Sequence, residues 1–209
     1  MKNRKITLGT KLKPAEIFSL VTVILAAAVI GMILSSQVFT IAGVRNVSMQ
    51  DTLYEGDRLF VNKLAYRFSE PDRGDVVIFL KGQDLNGFFG RCRISIQDIL
   101  HSFSKEPRGN RLVKRIIALP GEKIEVRDGN VYINGEMLHE DYVKNTTLPG
   151  YLPGEYVVPE EMYIVMGDNR IFSGDSREFG PVSINSIEGK ASHLIMPMSK
   201  WKSLDIEYE

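Results

Sequence analysis

The chain has 209 residues, enough for one medium-sized domain with additions and too few for two full ones. Lysines plus arginines number 26 and aspartates plus glutamates 26, so the formal net charge is zero. No global basic field draws nucleic acid, and no DNA- or RNA-reading motif is present. The single cysteine, Cys92, excludes an intrachain disulfide framework and any multi-cysteine metal site. Three scattered histidines (His101, His139 and His193) leave no HExxH zinc motif, so neither metal nor cofactor is expected.

The first element along the chain is an uncharged run from Ile17 to Val38, IFSLVTVILAAAVIGMILSSQV. A helix needs about 20 such residues to cross a hydrocarbon core of about 30 Å. Lys2, Arg4, Lys5, Lys11 and Lys13 precede it with Glu16 as the lone acid, and the next charge is Arg45. The positive-inside bias then places residues 1–16 in the cytoplasm, residues 17–38 in the cell membrane as a single anchor, and residues 39–209 on the far side. A cleavable secretory signal is the rival reading, with Ala26-Ala27-Ala28 as its cleavage motif. Signal cores are usually only about 7–15 apolar residues, and this run continues well past those alanines. A buried core helix rarely stays uncharged on every face for such a length.

Beyond the anchor the pattern changes to short β-type runs. Arg58–Val61, Asp75–Leu80, Arg111–Leu119 and Glu122–Arg127 are rich in branched and aromatic residues and are bounded by glycine or proline. Asp128-Gly129-Asn130, leading into Val131–Asn134, is the strongest hairpin signal. Met162–Met166 and Gly189–Met196 complete the set. The predicted fold is mainly β, with coiled antiparallel sheets or a partial barrel. Residues 82–110 do not follow the strand rhythm and read as an insertion; Ile96, Ile99, Leu100 and Phe103 predict a short amphipathic helix over Ile94–Phe103. Its Phe88-Phe89 pair suits either the lipid interface or plain packing.

Three islands stand apart from the strands: Asn46–Leu53, Leu112–Arg115 and Gly167–Arg177. No Gly-x-Ser-x-Gly elbow occurs and no histidine has a recognisable partner context, so a Ser-His-Asp triad is poorly supported. A lysine amine can activate a serine if its charged form is destabilised, and burial does that. Lys114 lies between Val113 and the apolar Ile116–Leu119. Strand alternation sends Lys114 and Arg115 to opposite faces, so one can be buried while the other pairs with an acid. By pattern alone a Lys-Arg pair in a strand usually sits on a solvated face, and the residues of the third island are also plain turn formers. A calcium loop is excluded at the third island, because Arg170 and Phe179 occupy places that need oxygen ligands.

The order of these islands behind an N-terminal anchor resembles the signal peptidase I family. Ser48-Met49-x-x-Thr52-Leu53 resembles its nucleophile box, and Gly74–Phe79 the strand that follows. Val113-Lys114-Arg115 with Leu119–Glu122 resembles the base-bearing box, and Gly167–Arg177 with Gly180 the last. The resemblance implies a membrane-bound serine endopeptidase that removes signal peptides from exported preproteins after small residues at −1 and −3. Ser48 would attack the scissile carbonyl and form an acyl-enzyme, Lys114 would take its proton, and Ser173 would orient the lysine. The Ser48 backbone N–H would be one oxyanion donor, with the Asn46 amide as candidate second. Asp168 would pair with Arg115, and Asp175 with Arg177, as structural ion pairs. Met49, Leu53, Val76 and Ile78 are candidates to line the substrate pockets and serve equally well as core.

The chain departs from the family pattern at Asp51, where proline is usual. Its expected partners are preprotein signal peptides and the lipid bilayer, not nucleic acid, and no pattern specifies an oligomeric state. Two rivals are weaker. A catalytically silent relative would lack Ser48 or Lys114, and a self-cleaving repressor would carry a DNA-binding domain in place of the anchor.

Overall fold

The computed structural model describes residues 13–85, 87–104, 109–152 and 154–206. Lys2, Arg4, Lys5 and Lys11 lie outside the described residues, as do the side chains of Ile99, Leu100 and Phe103. Helix α1 (Pro14–Gln37) starts at Pro14, where the missing N–H is not needed. The Glu16 carboxylate accepts the Lys13 N–H at 2.9 Å and places negative charge at the positive end of the helix. At a rise of about 1.5 Å per residue the helix measures about 36 Å, long enough and apolar enough to cross a membrane. Most of its side chains are exposed, with no polar face.

The last turn of α1 is different. Ser36 and Gln37 are buried, and Lys63 Nζ donates to the Ser35 carbonyl at 2.7 Å. A cation there satisfies a carbonyl left free at the helix end and complements the dipole. Lys63 is itself paired with Glu188 at 2.9 Å, and Arg111 meets the same carboxylate at 2.8 Å. This buried charge cluster fastens the helix end to the sheet.

The remaining elements follow in order: β1 (Phe39–Gly43), a 3₁₀ turn (Val47–Met49), β2 (Arg58–Asn62), α2 (Ala65–Phe68), β3 (Val76–Leu80), α3 (Gly87–Ser104), β4 (Arg111–Ala118), β5 (Lys123–Arg127), β6 (Asn130–Ile133), β7 (Glu136–Met137), β8 (Glu155–Val157), β9 (Met162–Met166), α4 (Ser176–Phe179), β10 (Val182–Ser183), β11 (Ile187–Met196) and β12 (Lys202–Ser203). Among the described residues they form two antiparallel sheets. The larger runs β1-β2-β11-β3-β4-β9-β10 with β12 beside β11, and the smaller runs β7-β6-β5-β8. The mainly β architecture agrees with the sequence expectation, and the larger sheet is open, with β1 and β10 at its edges.

Strands β3 and β4 lie inside this sheet, which explains their near-continuous apolar runs. Every residue of β3 is buried, and burial of one such Val, Ile or Leu contributes about 1.5–3 kcal/mol. The small sheet is built on turns. Asp128 and Gly129 have φ of 50° and 80°, the two positive values that a tight Asp-Gly hairpin requires, and they join β5 to β6. Asn134 and Gly135 repeat the device at φ 53° and 89°, so β6 ends at Ile133, one residue before the expected end.

Helix α3 begins at Gly87, seven residues before the expected start at Ile94. Gly90 and the Arg91-Cys92-Arg93 run break the apolar period that marks a helix in sequence. Packing against the end of α1 holds this turn instead: Gln37 Nε2 donates to the Phe88 carbonyl at 3.3 Å and to Cys92 Sγ at 3.6 Å.

Candidate active site

Ser48 sits in the 3₁₀ turn after β1, half-buried, and its hydroxyl makes no hydrogen bond among the described residues. Two bonds from Asn169 fix this turn. Its backbone N–H donates to the Ser48 carbonyl at 3.1 Å, and its side-chain amide donates to the Val47 carbonyl at 3.1 Å. Thr52 closes the segment by donating to Asp168 at 2.5 Å. The island after the membrane helix is thus bound to Gly167–Arg177, more than a hundred residues away in sequence.

Gly167 is where the approach is closest. A Cβ on it would overlap both the Ser48 carbonyl and Ser173 Oγ, so only glycine lets these two segments meet. Ser173 Oγ is buried without an aligned hydrogen bond, although it lies near enough to Asp175 to help lower that carboxyl.

Lys114 enters the same neighbourhood from β4, against which the 3₁₀ turn packs. It is 2% exposed, and its amine has no hydrogen bond or ion pair among the described residues. Burial lowers its pKa to about 8; Arg177 pushes in the same direction, while Asp175 and Asp168 offset part of the shift. At that value a useful fraction of the amine is neutral near physiological pH.

Arg115, next along the strand, has the opposite environment. Its guanidinium donates to Asp168 twice, at 2.9 and 2.7 Å, and to the Gly74 carbonyl at 2.7 Å, and it lies 4.2 Å from the centre of the Tyr142 ring. Asp175 and Arg177 form a similar fork at 2.9 and 2.7 Å. Asp175 also accepts the Gly167 N–H at 3.0 Å. Burial raises the Asp175 carboxyl, but these donors outweigh it and hold the pKa below the ordinary value.

Arg170 completes the loop from behind. It donates to the Gly167 carbonyl at 3.1 Å, to Glu140 at 2.9 Å and to Thr147 at 2.8 Å, which ties the connection between β7 and β8 to the site. Arg170, Asn169, Thr52 and Gly167 carried no assigned role from sequence. Their partners lie far along the chain, and only the motif position of Thr52 and of the Gly167–Arg170 run hinted at them.

Met49, Leu53, Val76 and Ile78, expected to line pockets, are each at most 1% exposed and pack together with Leu59, Val61 and Leu194. They are core: alternate side chains of β3 and the apolar residues flanking Ser48 fill the interior and leave no open surface. Asn46 is exposed and its amide makes no hydrogen bond among the described residues. Asp51 is exposed too, paired with Lys144 at 2.9 Å, which holds its carboxyl below the ordinary value. A cavity of about 410 Å³ lies between β3 and β10, lined by Phe79, Met162, Phe179 and Val182, and none of the candidate residues borders it.

A family profile described as "Signal peptidase, peptidase S26" matches residues 17–196. Signal peptidase I V of Bacillus subtilis (strain 168) is 33% identical over 182 residues, covering 79% of this chain and 94% of that protein. Signal peptidase IB of Staphylococcus aureus (strain COL) is 30% identical over 203 residues, covering 90% and 93%. Probable signal peptidase I-2 of a Synechocystis strain is 35% identical over 158 residues, which are 73% of this chain and 61% of that protein's length. A crystal structure of a signal peptidase I from Enterococcus faecalis V583 shares 33% identity over 58% of this chain and 97% of its own, with a TM-score of 0.39. With a profile that spans most of its length and relatives at this identity, the chain belongs to the signal peptidase family, peptidase S26, and is a hydrolase of that family.

Proposed function

We propose that this protein removes signal peptides from exported preproteins by a Ser-Lys mechanism, with Ser48 as nucleophile and Lys114 as general base. The observation that carries the reading is the state of Lys114: buried, unpaired, with a pKa of about 8, on a strand packed against the turn that holds Ser48. A neutral lysine takes the Ser48 proton as the hydroxyl attacks the scissile carbonyl. The resulting ammonium then protonates the leaving amine, and water resolves the acyl-enzyme by the same base. Ser173, whose Oγ is buried without an aligned partner among the described residues, orients the amine. The Ser48 N–H stabilises the oxyanion, and Asn46, exposed beside the turn, is free to supply a second donor. Catalytic hydrogen bonds are often long in a free enzyme and tighten when substrate binds.

Substrates are cut after small residues at −1 and −3, as the resemblance to this family implies. Helix α1 anchors the protein with residues 1–16 in the cytoplasm and the β portion on the far side, where signal peptides emerge. Confinement to that surface raises effective concentration without new contacts. The test is cleavage of a preprotein ending its signal in Ala-x-Ala by the detergent-solubilised full chain, compared with Ser48→Ala and Lys114→Ala. Cleavage lost in both variants supports the mechanism; a folded wild type that does not cut, or a variant that still does, refutes it.

A further inference from the structure

The junction of α1 and α3 carries a surface that the peptidase reading does not use. One side of α3 meets the last turn of α1 through Phe88 and Cys92, and another meets the sheet through Ile94, which is 2% exposed beside Leu80 and Leu85. The side left over carries Phe89, Arg93 and Ile96, at the i, i+4, i+7 spacing of a single helical stripe. Phe89 is 84% exposed and stands edge-on to Phe88, with ring centres 5.6 Å apart. Phe68, at the end of α2, is 89% exposed. Large aromatic side chains this open to water, grouped at one end of an apolar helix, fit a boundary between water and lipid.

The charge that this surface adds at the junction comes from arginines. Arg67 donates to Gln37 Oε1 at 2.6 Å, and Arg91 donates to the Glu188 carbonyl at 3.2 Å. Both acceptors are neutral. Among the described residues Arg67, Arg91 and Arg93 have no carboxylate partner, because Glu188 is already committed to Lys63 and Arg111. Burial lowers the Arg91 pKa and the nearby Arg67 charge lowers it further, partly offset by Glu188. Two guanidiniums held near each other, with Glu188 already shared by Lys63 and Arg111 and only a partial offset, leave positive charge to be met by an outside anion, and phosphate is the anion that such forks match.

We propose that α3 and the tip of α2 form a second membrane contact, in which Phe68, Phe88 and Phe89 enter the outer interface and Arg67, Arg91 and Arg93 bind anionic lipid headgroups. The proposal rests on the reading of α1 as a membrane anchor. Its consequence is orientation: α1 alone is a single tether about which the sheets can tilt, whereas a second contact fixes the height and facing of the Ser48 turn. Basic pockets at the end of a membrane helix take phosphate headgroups, and an apolar-basic helical stripe lies in the interface plane.

The test uses the full chain in a Trp201→Phe background, reconstituted into vesicles whose lipids carry brominated acyl chains. The Ile24→Trp variant reports on α1 and the Phe89→Trp variant on the proposed contact. The expected result is quenching of both, with Phe89→Trp quenched most by bromines near the headgroups and shifted to the blue. That quenching grows when phosphatidylglycerol is added to phosphatidylcholine. Adding Arg67→Gln and Arg91→Gln removes the growth and leaves Ile24→Trp unchanged. Water-like, unquenched emission from Phe89→Trp beside a quenched Ile24→Trp overturns the second contact alone. Loss of quenching in both overturns the anchor reading and this proposal with it.

Discussion

Lys114 and Arg115 are adjacent on β4 and equally buried, at 2% and 1% exposure, yet the regions they enter are built differently. Arg115 meets a carboxylate, a carbonyl and an aromatic face, so its charge is matched at every point. Lys114 meets no acceptor at hydrogen-bond distance among the described residues, and its burial, only partly offset by Asp175 and Asp168, loosens its proton. The same interior strand therefore supports both a rigid ion pair and an amine whose proton is easily lost. What separates them is the supply of partners, since burial is common to both. A buried charge left unpaired is expensive, and a protein retains such a group where chemistry needs it.

Breaking the comparison from the Lys114 side has the largest expected effect. Lys114→Arg keeps the charge and removes the capacity to deprotonate, so cleavage of a model preprotein should fall about 10³-fold or more. A near-normal rate in this variant would show that the amine is not the base. From the other side, Arg115→Met leaves Asp168 buried without its partner. Chemical denaturation should show a loss of about 3–5 kcal/mol, the usual consequence of breaking a buried pair on one side only.

Lys114→Met sharpens the contrast, because here the change should stabilise. A lysine with a folded pKa of about 8 against an ordinary 10.5 binds fewer protons folded than unfolded between those values. Its stability contribution is therefore present above about 10.5, falls as pH drops, and is fully lost below about 8. At pH 7 the buried ammonium costs about 3 kcal/mol on this basis, and Lys114→Met should recover a comparable amount, less at pH 9 than at pH 7. Denaturation of the variant at both pH values checks the sign.

Much of this organisation could be read along the chain, for reasons specific to each part. The apolar run of α1 is unmistakable because the bilayer sets its length, and the Asp128-Gly129 turn because few residues accept positive φ. The second turn, Asn134-Gly135, has the same chemistry but is hard to read, since the strand after it is only two residues long. The pocket residues fared worse. Met49, Leu53, Val76 and Ile78 belong to the core, and an apolar side chain looks the same in sequence whether it faces a ligand or its neighbours. Long-range polar pairing was the least legible part. Nothing near Arg170 points to Glu140, and nothing near Lys63 points to Glu188 or to the end of α1, because such pairs depend on topology and not on local pattern.

The central claim is that Lys114 works as a neutral amine, and the pH dependence of kcat/KM for preprotein cleavage tests it most directly. The rate should climb about tenfold per pH unit below a limb near 8 and then stay level into alkaline pH, as expected when one base must lose its proton before reaction. An activity that peaks in acid, or one that is flat from pH 6 to about 9, would contradict a lysine base with this pKa.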